Sequence, residues 1–193
     1  MTTNRTQNES ALVCAAREGD KEALNMLLTR HWAWLRALVY GVLADAQDLD
    51  DVMQDVCLRV MTKIHTLREP ECFRAWLAIT ARREAIKHFR GKSRRAGLID
   101  TDVAVTRPSG SEHGPLESLE RTELCRKILE AVRTLPEKYR EVFMLAHAGE
   151  LTYAQMAEVL DVPITTMQIR LVRARRMVQS QLIEESEQKV HER

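Results

Sequence analysis

Side chains that could do chemistry are concentrated in one short stretch near the C-terminus. The segment LDVPITTMQIRLVRARR, residues 160–176, holds four arginines in its last seven positions, and no acidic residue follows Asp161 in it. Guanidinium groups bind phosphate oxygens or guanine edges, and a glutamine amide can pair with adenine. The stretch therefore predicts nucleic-acid binding. For Arg175 and Arg176, a solvated helix end that complements the helix dipole is the alternative interpretation.

A second basic cluster lies in the N-terminal half of the chain. The segment 82–95 holds seven basic residues and one acidic residue, which is an electrostatic footprint for a phosphate backbone. Several of these residues are three or four positions apart, so they share one helix face if the helix continues past Gly91. The candidate DNA contacts here are Arg82, Arg83, Lys87, Arg90 and Arg94.

A third candidate surface is acidic and contains Asp45, Asp48, Asp50, Asp51 and Asp55. A surface that faces DNA would avoid such a cluster, so we expect it to meet a basic protein partner. Two alternatives remain open. Asp51 and Asp55, one helical turn apart, could be Mg²⁺ ligands, or the whole cluster could be a solvated face. Neither a phosphate-cradling glycine loop nor a convergent general base accompanies the aspartates, which disfavours an enzyme.

Composition and periodicity predict that helices position these residues. The chain is 45% hydrophobic and 30% charged, with only 7 Gly and 5 Pro in 193 residues, which favours a soluble all-α protein. The net charge is +1, so nucleic-acid binding must come from local charge segregation. Apolar residues at spacings of three and four predict helices over 10–43 with a break at Gly19 and Asp20, 48–64, 73–89, 119–134, 137–148, 153–160 and 164–182.

A change of composition between residues 97 and 118 predicts a flexible linker. Thr, Ser, Gly, Pro and Asp replace the periodic apolar residues there. We therefore expect two small helical domains, at residues 1–96 and 119–184, and a disordered polar tail at 185–193. Residues 1–9 are also polar, and we expect them to be frayed.

The two helices that precede and include the basic stretch predict a helix-turn-helix. Thr152 can cap the first helix, and residues 161–163 form a short connection in which Asp161 adopts a positive φ more easily than most residues. In the second helix, the spacing of Met167, Leu171, Ala174 and Val178 predicts a packed face. The arginines and Gln168 fall largely on the other faces.

The chain shows no signal peptide and no apolar run long enough to cross a membrane, so we expect a cytoplasmic protein without membrane insertion. The four cysteines, Cys14, Cys57, Cys72 and Cys125, are widely separated, and none forms a C-x-x-C pair. This spacing predicts reduced thiols and no zinc site. We expect no metal and no cofactor.

Taken in order, three segments resemble bacterial RNA polymerase sigma factors of the extracytoplasmic-function type. DDVMQDVCLRV, residues 50–60, resembles the helix of that family that binds core polymerase. FRAWLAITARREAIKHFR, residues 73–90, resembles its −10 recognition helix. LPEKYREVFMLAHAGELTYAQMAEVLDVPITTMQIRLVRARRMV, residues 135–178, resembles its −35 recognition domain. Three motifs in the family's order, with a linker between them, are jointly specific.

The resemblance implies a non-enzymatic factor that directs core RNA polymerase to promoters and helps melt the DNA. It implies contact with the β′ clamp helices and the β flap, promoter DNA as ligand, no small-molecule substrate, and an anti-sigma factor as a further partner. The core-binding residues it implies are Asp51, Gln54, Asp55 and Leu58. The loop 65–72 would capture an unpaired −10 base. The −35 contacts expected from the second helix are Thr165, Thr166, Gln168, Ile169, Arg170, Arg173 and Arg176.

Some positions depart from the family pattern. Arg83 and Lys87 replace the usual Asn and Asp of the −10 helix, and Gln168 and Ile169 replace a frequent Lys-Ser pair. Because Gln can pair with adenine and Ile can contact a thymine methyl, we expect an unusual −35 element. The rival hypothesis is a helix-turn-helix regulator that binds an operator without polymerase. It leaves the acidic helix and the basic −10-like helix unexplained.

Overall fold

The computed structural model of the protein describes the backbone of residues 2–44, 47–95, 119–148 and 151–191, and side chains over 8–44, 47–92, 126–147 and 151–184. Within those ranges the chain is helical, with no strand, as predicted. Two 3-10 turns, Ile64–Thr66 and Pro70–Cys72, precede the fourth helix. The helices are α1 Thr2–Arg17, α2 Lys21–Leu43, α3 Leu49–Lys63, α4 Phe73–Arg95, α5 Leu119–Arg133, α6 Glu137–Ala148, α7 Tyr153–Leu160 and α8 Ile164–His191.

Two helices extend further than the sequence predicts. Helix α4 continues through Gly91 to Arg95, and α8 continues to His191. The predicted disordered tail at 185–193 is therefore wrong as far as His191. Glu, Gln and Lys dominate that segment, and these straight-chain residues favour a helix when no Gly or Pro interrupts it. The predicted fraying of residues 1–9 is also wrong for the backbone, because α1 begins at Thr2.

In the N-terminal half, α1, α3 and α4 pack against α2. The break predicted at Gly19 and Asp20 is present, with φ of +101° at Gly19. The Asp20 carboxylate then caps α2 by accepting hydrogen bonds from the backbone N–H groups of Glu22, at 2.8 Å, and Ala23, at 3.1 Å. Such a cap satisfies N–H groups that have no partner within the helix. It fixes where α2 starts.

In the C-terminal half, α6, α7 and α8 form the helix-turn-helix unit, with α5 packed against α8. The four residues predicted as the packed face of α8 are all buried: Met167, Leu171, Ala174 and Val178. Burying them against α6 and α7 leaves the remaining faces of α8 free for other contacts. The linker and the domain boundaries predicted at 97–118 lie outside the described residues.

The two halves also contact each other. Helix α6 packs along α2, and α7 packs against α4. Gly41 allows the first of these contacts, because a Cβ added there would lie 3.0 Å from the Cβ of Met144 and 3.6 Å from the Cα of Glu141. Buried apolar side chains form one cluster that runs through both halves.

Candidate nucleic-acid interface

The first helix of the helix-turn-helix, α7, starts with a reciprocal pair of capping hydrogen bonds. The Thr152 hydroxyl accepts a hydrogen bond from the Gln155 N–H at 3.2 Å, and the Gln155 side-chain oxygen accepts one from the Thr152 N–H at 2.9 Å. This capping box satisfies two backbone donors at once and confirms Thr152 as the N-cap. The cap holds α7 in position for the turn that follows.

The turn between α7 and α8 depends on one left-handed residue. Asp161 has φ of 55° and ψ of 50°, as predicted. Its N–H donates to the carbonyl of Glu158, and the Val162 N–H donates to that of Ala157, both at 3.1 Å. These bonds satisfy carbonyls that α7 would otherwise leave unpaired. The chain then enters α8 directly after Pro163, at a residue type favoured near helix starts.

The residues predicted to read the −35 element lie along one side of α8. Those that are exposed are Thr165, Gln168, Ile169, Arg173 and Arg176, whereas Thr166 and Arg170 are half-buried. The exposed residues follow steps of three and four, so they share a face opposite the buried stripe. Ile169 leaves about half of its side chain in solvent (54%) although it is apolar. The predicted −35 residues therefore form one continuous surface.

One residue of this surface lies beside a tyrosine that sequence reasoning missed. Hydrogen bonding with the Arg173 guanidinium lowers the pKa of the Tyr139 phenol on α6, and the charges of Lys138 and Arg170 add to this lowering. The Lys138 ammonium lies 5.3 Å from the centre of the Tyr139 ring. Tyr139 of α6 and Arg173 of α8 therefore lie side by side.

The basic face predicted on α4 is partly formed. Arg83, Lys87 and Arg90 are exposed and lie within two turns of one another. Lys87 donates to Glu84 at 3.1 Å, and Arg59 of α3 donates to the same carboxylate at 2.8 Å. Burial raises the pKa of Glu84, but these two cations lower it more, so the net shift is downward. The side chain of Arg94 lies outside the described residues.

Arg82 occupies a different environment from Arg83, Lys87 and Arg90. Its guanidinium donates to the Glu141 carboxylate of α6 at 3.1 Å, and only about a fifth of its side chain is exposed. Burial raises the pKa of Glu141, and the charge of Arg82 offsets only part of that rise. Arg82 is therefore bound to a residue of the C-terminal half, whereas Arg83 and Arg90 are exposed.

Arg140 and Glu141 are buried charged residues that the sequence analysis did not identify. The Arg140 guanidinium donates to the carbonyl of Gly41 at 2.8 Å and to that of Leu135 at 2.9 Å. The Gly41 carbonyl is in the last turn of α2, where carbonyls lack helical partners, so Arg140 caps α2 from another helix. Burial lowers the pKa of Arg140. The sequence carries no signal for them, because Glu137 and Lys138 precede the pair and make the start of α6 look like an ordinary charged helix end.

The loop predicted to capture a −10 base adjoins a buried charge cluster. Both oxygens of Glu9 accept hydrogen bonds from the Arg74 guanidinium, at 2.8 and 2.9 Å, and His31 Nε2 lies 3.4 Å from one of them. The Trp34 N–H donates to His31 Nδ1 at 2.8 Å, which leaves Nε2 to carry the proton toward Glu9. Burial raises the pKa of Glu9, but His31 and Arg74 lower it to about 2. The cluster ties α1 and α2 to the first turn of α4, directly after the loop 65–72.

The acidic surface divides into paired and exposed residues. Asp48 accepts from Lys92 at 2.5 Å, and Asp50 pairs with Arg36. Asp51 and Asp55 are exposed on α3, as predicted, together with Gln54 and Leu58, which is 54% exposed, and Met61, which is 53% exposed. The α3 face defined by these five residues is thus both acidic and apolar. Asp45 lies outside the described residues.

The part of the chain that the structure describes contains no group of three or more His, Cys, Asp or Glu residues able to hold a metal ion. Over the same residues, no helix is long and apolar enough to cross a membrane. Chemistry at these surfaces comes from guanidinium, hydroxyl, amide and carboxylate groups.

Comparison with known families is consistent with the division of the chain into halves. The family model for sigma-70 region 2 matches residues 27–95, which include α3, α4 and the loop between them. The model for sigma-70 region 4 matches residues 125–178, which include α6, α7 and the exposed face of α8. Together the two models match well over half of the chain, in the order that the motifs predict. The chain belongs to the sigma-70 family.

Individual relatives of this sigma factor match it over nearly its whole length. The ECF RNA polymerase sigma-E factor of Haemophilus influenzae is 26% identical over 180 residues, which cover 90% of this chain and 95% of that protein. The predicted likeness to the extracytoplasmic-function type is therefore confirmed.

Two solved structures share the fold of this sigma factor. CnrH, in complex with the cytosolic domain of CnrY, superposes with a TM-score of 0.66 at 23% identity, covering 92% of this chain and 98% of that one. The sigma factor RpoE of Bartonella quintana, in complex with the anti-sigma factor NepR, gives a TM-score of 0.63 at 22% identity, covering 82% and 95%.

Proposed function

We propose that this sigma factor binds core RNA polymerase through the α3 face and directs it to promoters by reading two DNA elements. The observation that carries the proposal is the presence of two separate basic helix faces, on α4 and α8, each inside the region of the sigma-70 family that matches it. Helix α8 reads the −35 major groove, and α4 with the loop 65–72 binds the −10 element. The proposed role needs no catalysis by this chain and takes place in the cytoplasm, where the chromosome is transcribed.

The α8 face has the groups that major-groove reading needs. Gln168 and Ile169, both exposed in the first two turns, carry an amide that can pair with adenine and an alkyl group that can contact a thymine methyl. Free N–H groups at the start of α8, next to Thr165 and Thr166, can bind a phosphate. Arg173, which is exposed on the same face, reaches a guanine edge or the backbone. Sequence preference is therefore concentrated at Gln168 and Ile169.

The α3 face has the groups that a basic protein surface needs. Asp51 and Asp55 are charged and exposed, and Leu58 and Met61 add apolar area beside them. An apolar centre bordered by charge is the usual composition of a protein-binding patch. Core polymerase is the partner proposed for this face, through its β′ clamp helices, and its β flap is the proposed partner of the C-terminal half. An anti-sigma factor is proposed as a further partner, because the neighbour RpoE is held by one.

Run-off transcription with purified core polymerase tests the proposal. The protein and core together should give specific transcripts, whereas either alone should not. A regulator that binds an operator without polymerase, the second candidate, would instead bind DNA specifically by itself and would leave core unchanged. Absence of both core binding and new transcripts would refute the sigma function for this chain.

A matched pair of variants tests the α3 face. Leu58→Asp should weaken core binding by at least tenfold, because it places a charge in the centre of the patch. Met26→Asp is the control, since Met26 is an apolar residue of α2 with similar exposure, 49% against 54%. Affinity for fluorescently labelled core gives the readout. Equal effects of the two variants would remove α3 from the proposed interface.

A further inference from the structure

Helix α1 lies against the loop 65–72, which is proposed to capture an unpaired base of the −10 element. The match to sigma-70 region 2 begins at residue 27, whereas α1 ends at Arg17, so the family comparison assigns α1 no role. In the structure α1 packs against α2 and also against the two 3-10 turns that flank the middle of the loop. Packing on α2 is what a helical core requires, but the contacts with the two turns call for a separate explanation.

Two side chains of α1 hold the chain at and just after the loop. At the end of α1, the Arg17 guanidinium donates a hydrogen bond to the Arg68 carbonyl at 3.1 Å. About two turns earlier, the Glu9 carboxylate accepts two hydrogen bonds from Arg74, at 2.8 and 2.9 Å. These two residues of α1 are separated by a helix rise of about 12 Å. A rigid helix therefore sets the distance over which residues 68–74 are held.

The Arg17 hydrogen bond falls on the extended part of the loop. The backbone is extended at Leu67, with φ of −69° and ψ of 119°, and at Glu69, with φ of −103° and ψ of 112°. Each 3-10 turn satisfies its own backbone groups, but an extended segment outside a sheet depends on partners from elsewhere in the chain. The Arg68 carbonyl lies between the two extended residues, and Arg17 is its partner. The shape of this segment is therefore supported from α1.

The loop presents polar side chains to solvent above a buried base. Leu67 is only 5% exposed and fixes the loop on the core. The exposed side chains are those of His65, Thr66, Arg68, Glu69, Glu71 and Cys72. An unpaired base is recognised through hydrogen bonds to its edge, so the positions of such groups decide how well the base is bound. A loop that is already ordered before binding loses less conformational entropy when the base enters.

We infer that α1 braces the loop 65–72 and that Arg17 is a positioning residue for capture of the unpaired −10 base. The inference rests on the proposed function, because it gives α1 a part in −10 recognition. Loss of the Arg17 hydrogen bond leaves the side chains of the loop unchanged but lets its backbone adopt other shapes. The captured base is then bound more weakly, whereas recognition of the −35 element by α8 depends on other residues and does not change.

Abasic templates test the role of Arg17 in base capture. Core polymerase with the full-length protein is titrated with forked templates from a mapped promoter, in which one strand of the −10 element is unpaired and each of its bases in turn is removed. At the captured position, the intact template should bind the wild type at least about fivefold more tightly than the abasic one, as expected for one stacked base. Arg17→Met, which keeps a good helix former but has no donor, should reduce this ratio by about threefold or more.

Lys21→Met is the matched control, because it removes the same charge at an exposed position at the start of α2. Its ratio should stay within about twofold of the wild-type ratio, since a factor of two is less than the loss of one hydrogen bond. Partial unfolding of a variant would weaken binding to intact and abasic templates alike and would leave the ratio unchanged. Equal ratios for Arg17→Met and Lys21→Met would overturn the inference, and so would a wild type that is insensitive to every abasic position. If Arg17→Met fails to fold by circular dichroism, Arg17→Gln replaces it, because Gln stays polar but is shorter than Arg and uncharged.

Hydrogen exchange of the free protein separates failure of the brace from failure of the proposed function. Backbone amides of the loop 65–72 should exchange faster in Arg17→Met than in Lys21→Met, because a loosened loop opens more often. If the wild type directs core polymerase but exchange and the template ratio are the same in both variants, the brace is wrong and the sigma function stands. If exchange rises in Arg17→Met but the wild type gives no specific transcripts with core, α1 supports the loop, and its part in base capture is overturned together with the proposed function.

Discussion

Replacement of Glu9 by Gln tests how the start of α4 is anchored. The Glu9 carboxylate accepts two hydrogen bonds from Arg74 in the first turn of α4 and lies 3.4 Å from His31 of α2. A pKa lowered from 4.5 to about 2 corresponds to about 3 kcal/mol of folding free energy at neutral pH. Glu9→Gln keeps the shape but removes the charge, so it should destabilise the protein by about that amount at pH 7.

The contribution of Glu9 to the unfolding free energy should depend on pH in a defined direction. The folded state binds the Glu9 proton more weakly than the unfolded state, so the stabilisation is complete above 4.5 and is lost as the pH falls toward 2. The difference in unfolding free energy between the wild type and Glu9→Gln should therefore shrink on acidification, to roughly half its neutral value at pH 3. Urea unfolding at several pH values from 7 to 3 measures this difference.

Glu18→Gln is the control for Glu9, because Glu18 is an exposed carboxylate just after α1. Its effect should stay within about 0.5 kcal/mol at every pH. A Glu9→Gln difference below about 1 kcal/mol, or one that does not vary with pH, would refute the account of Glu9 as a charged anchor. In transcription assays, the loss of the anchor should weaken use of the −10 element before that of the −35 element, because the loop 65–72 leads into the same turn of α4.

Three further substitutions have expected outcomes. Arg173→Ala should weaken binding to a duplex from a mapped promoter by about 1–3 kcal/mol, as measured by fluorescence anisotropy; equal loss on unrelated duplexes would show a phosphate contact instead of base reading. Thr152→Ala should lower the unfolding free energy by about 1 kcal/mol, because it removes the cap of α7; an unchanged melting temperature would contradict this. Asp161→Gly should raise the unfolding free energy by roughly 0.5–1 kcal/mol, because glycine adopts φ of 55° without strain; thermal unfolding that shows a decrease would refute it.

Local chemistry made much of the helix-turn-helix predictable. The Thr152 hydroxyl and the positive φ of Asp161 affect only backbone groups that lie a few positions away in the sequence. The buried stripe of α8 follows from helical periodicity. The same reasoning placed most of the residues predicted to contact the −35 element on the exposed side of α8, although Thr166 and Arg170 are half-buried. It failed at the end of α8, where polar composition suggested disorder, although the individual residues favour a helix.

Contacts between distant residues were beyond this reasoning. Arg140 and Gly41 are 99 positions apart, and Arg82 and Glu141 are 59 apart. Periodicity places a residue on a face of its own helix but does not say which other helix that face meets. The separate placement of Arg82 could not be inferred either, since it belongs to the same basic cluster as Arg83.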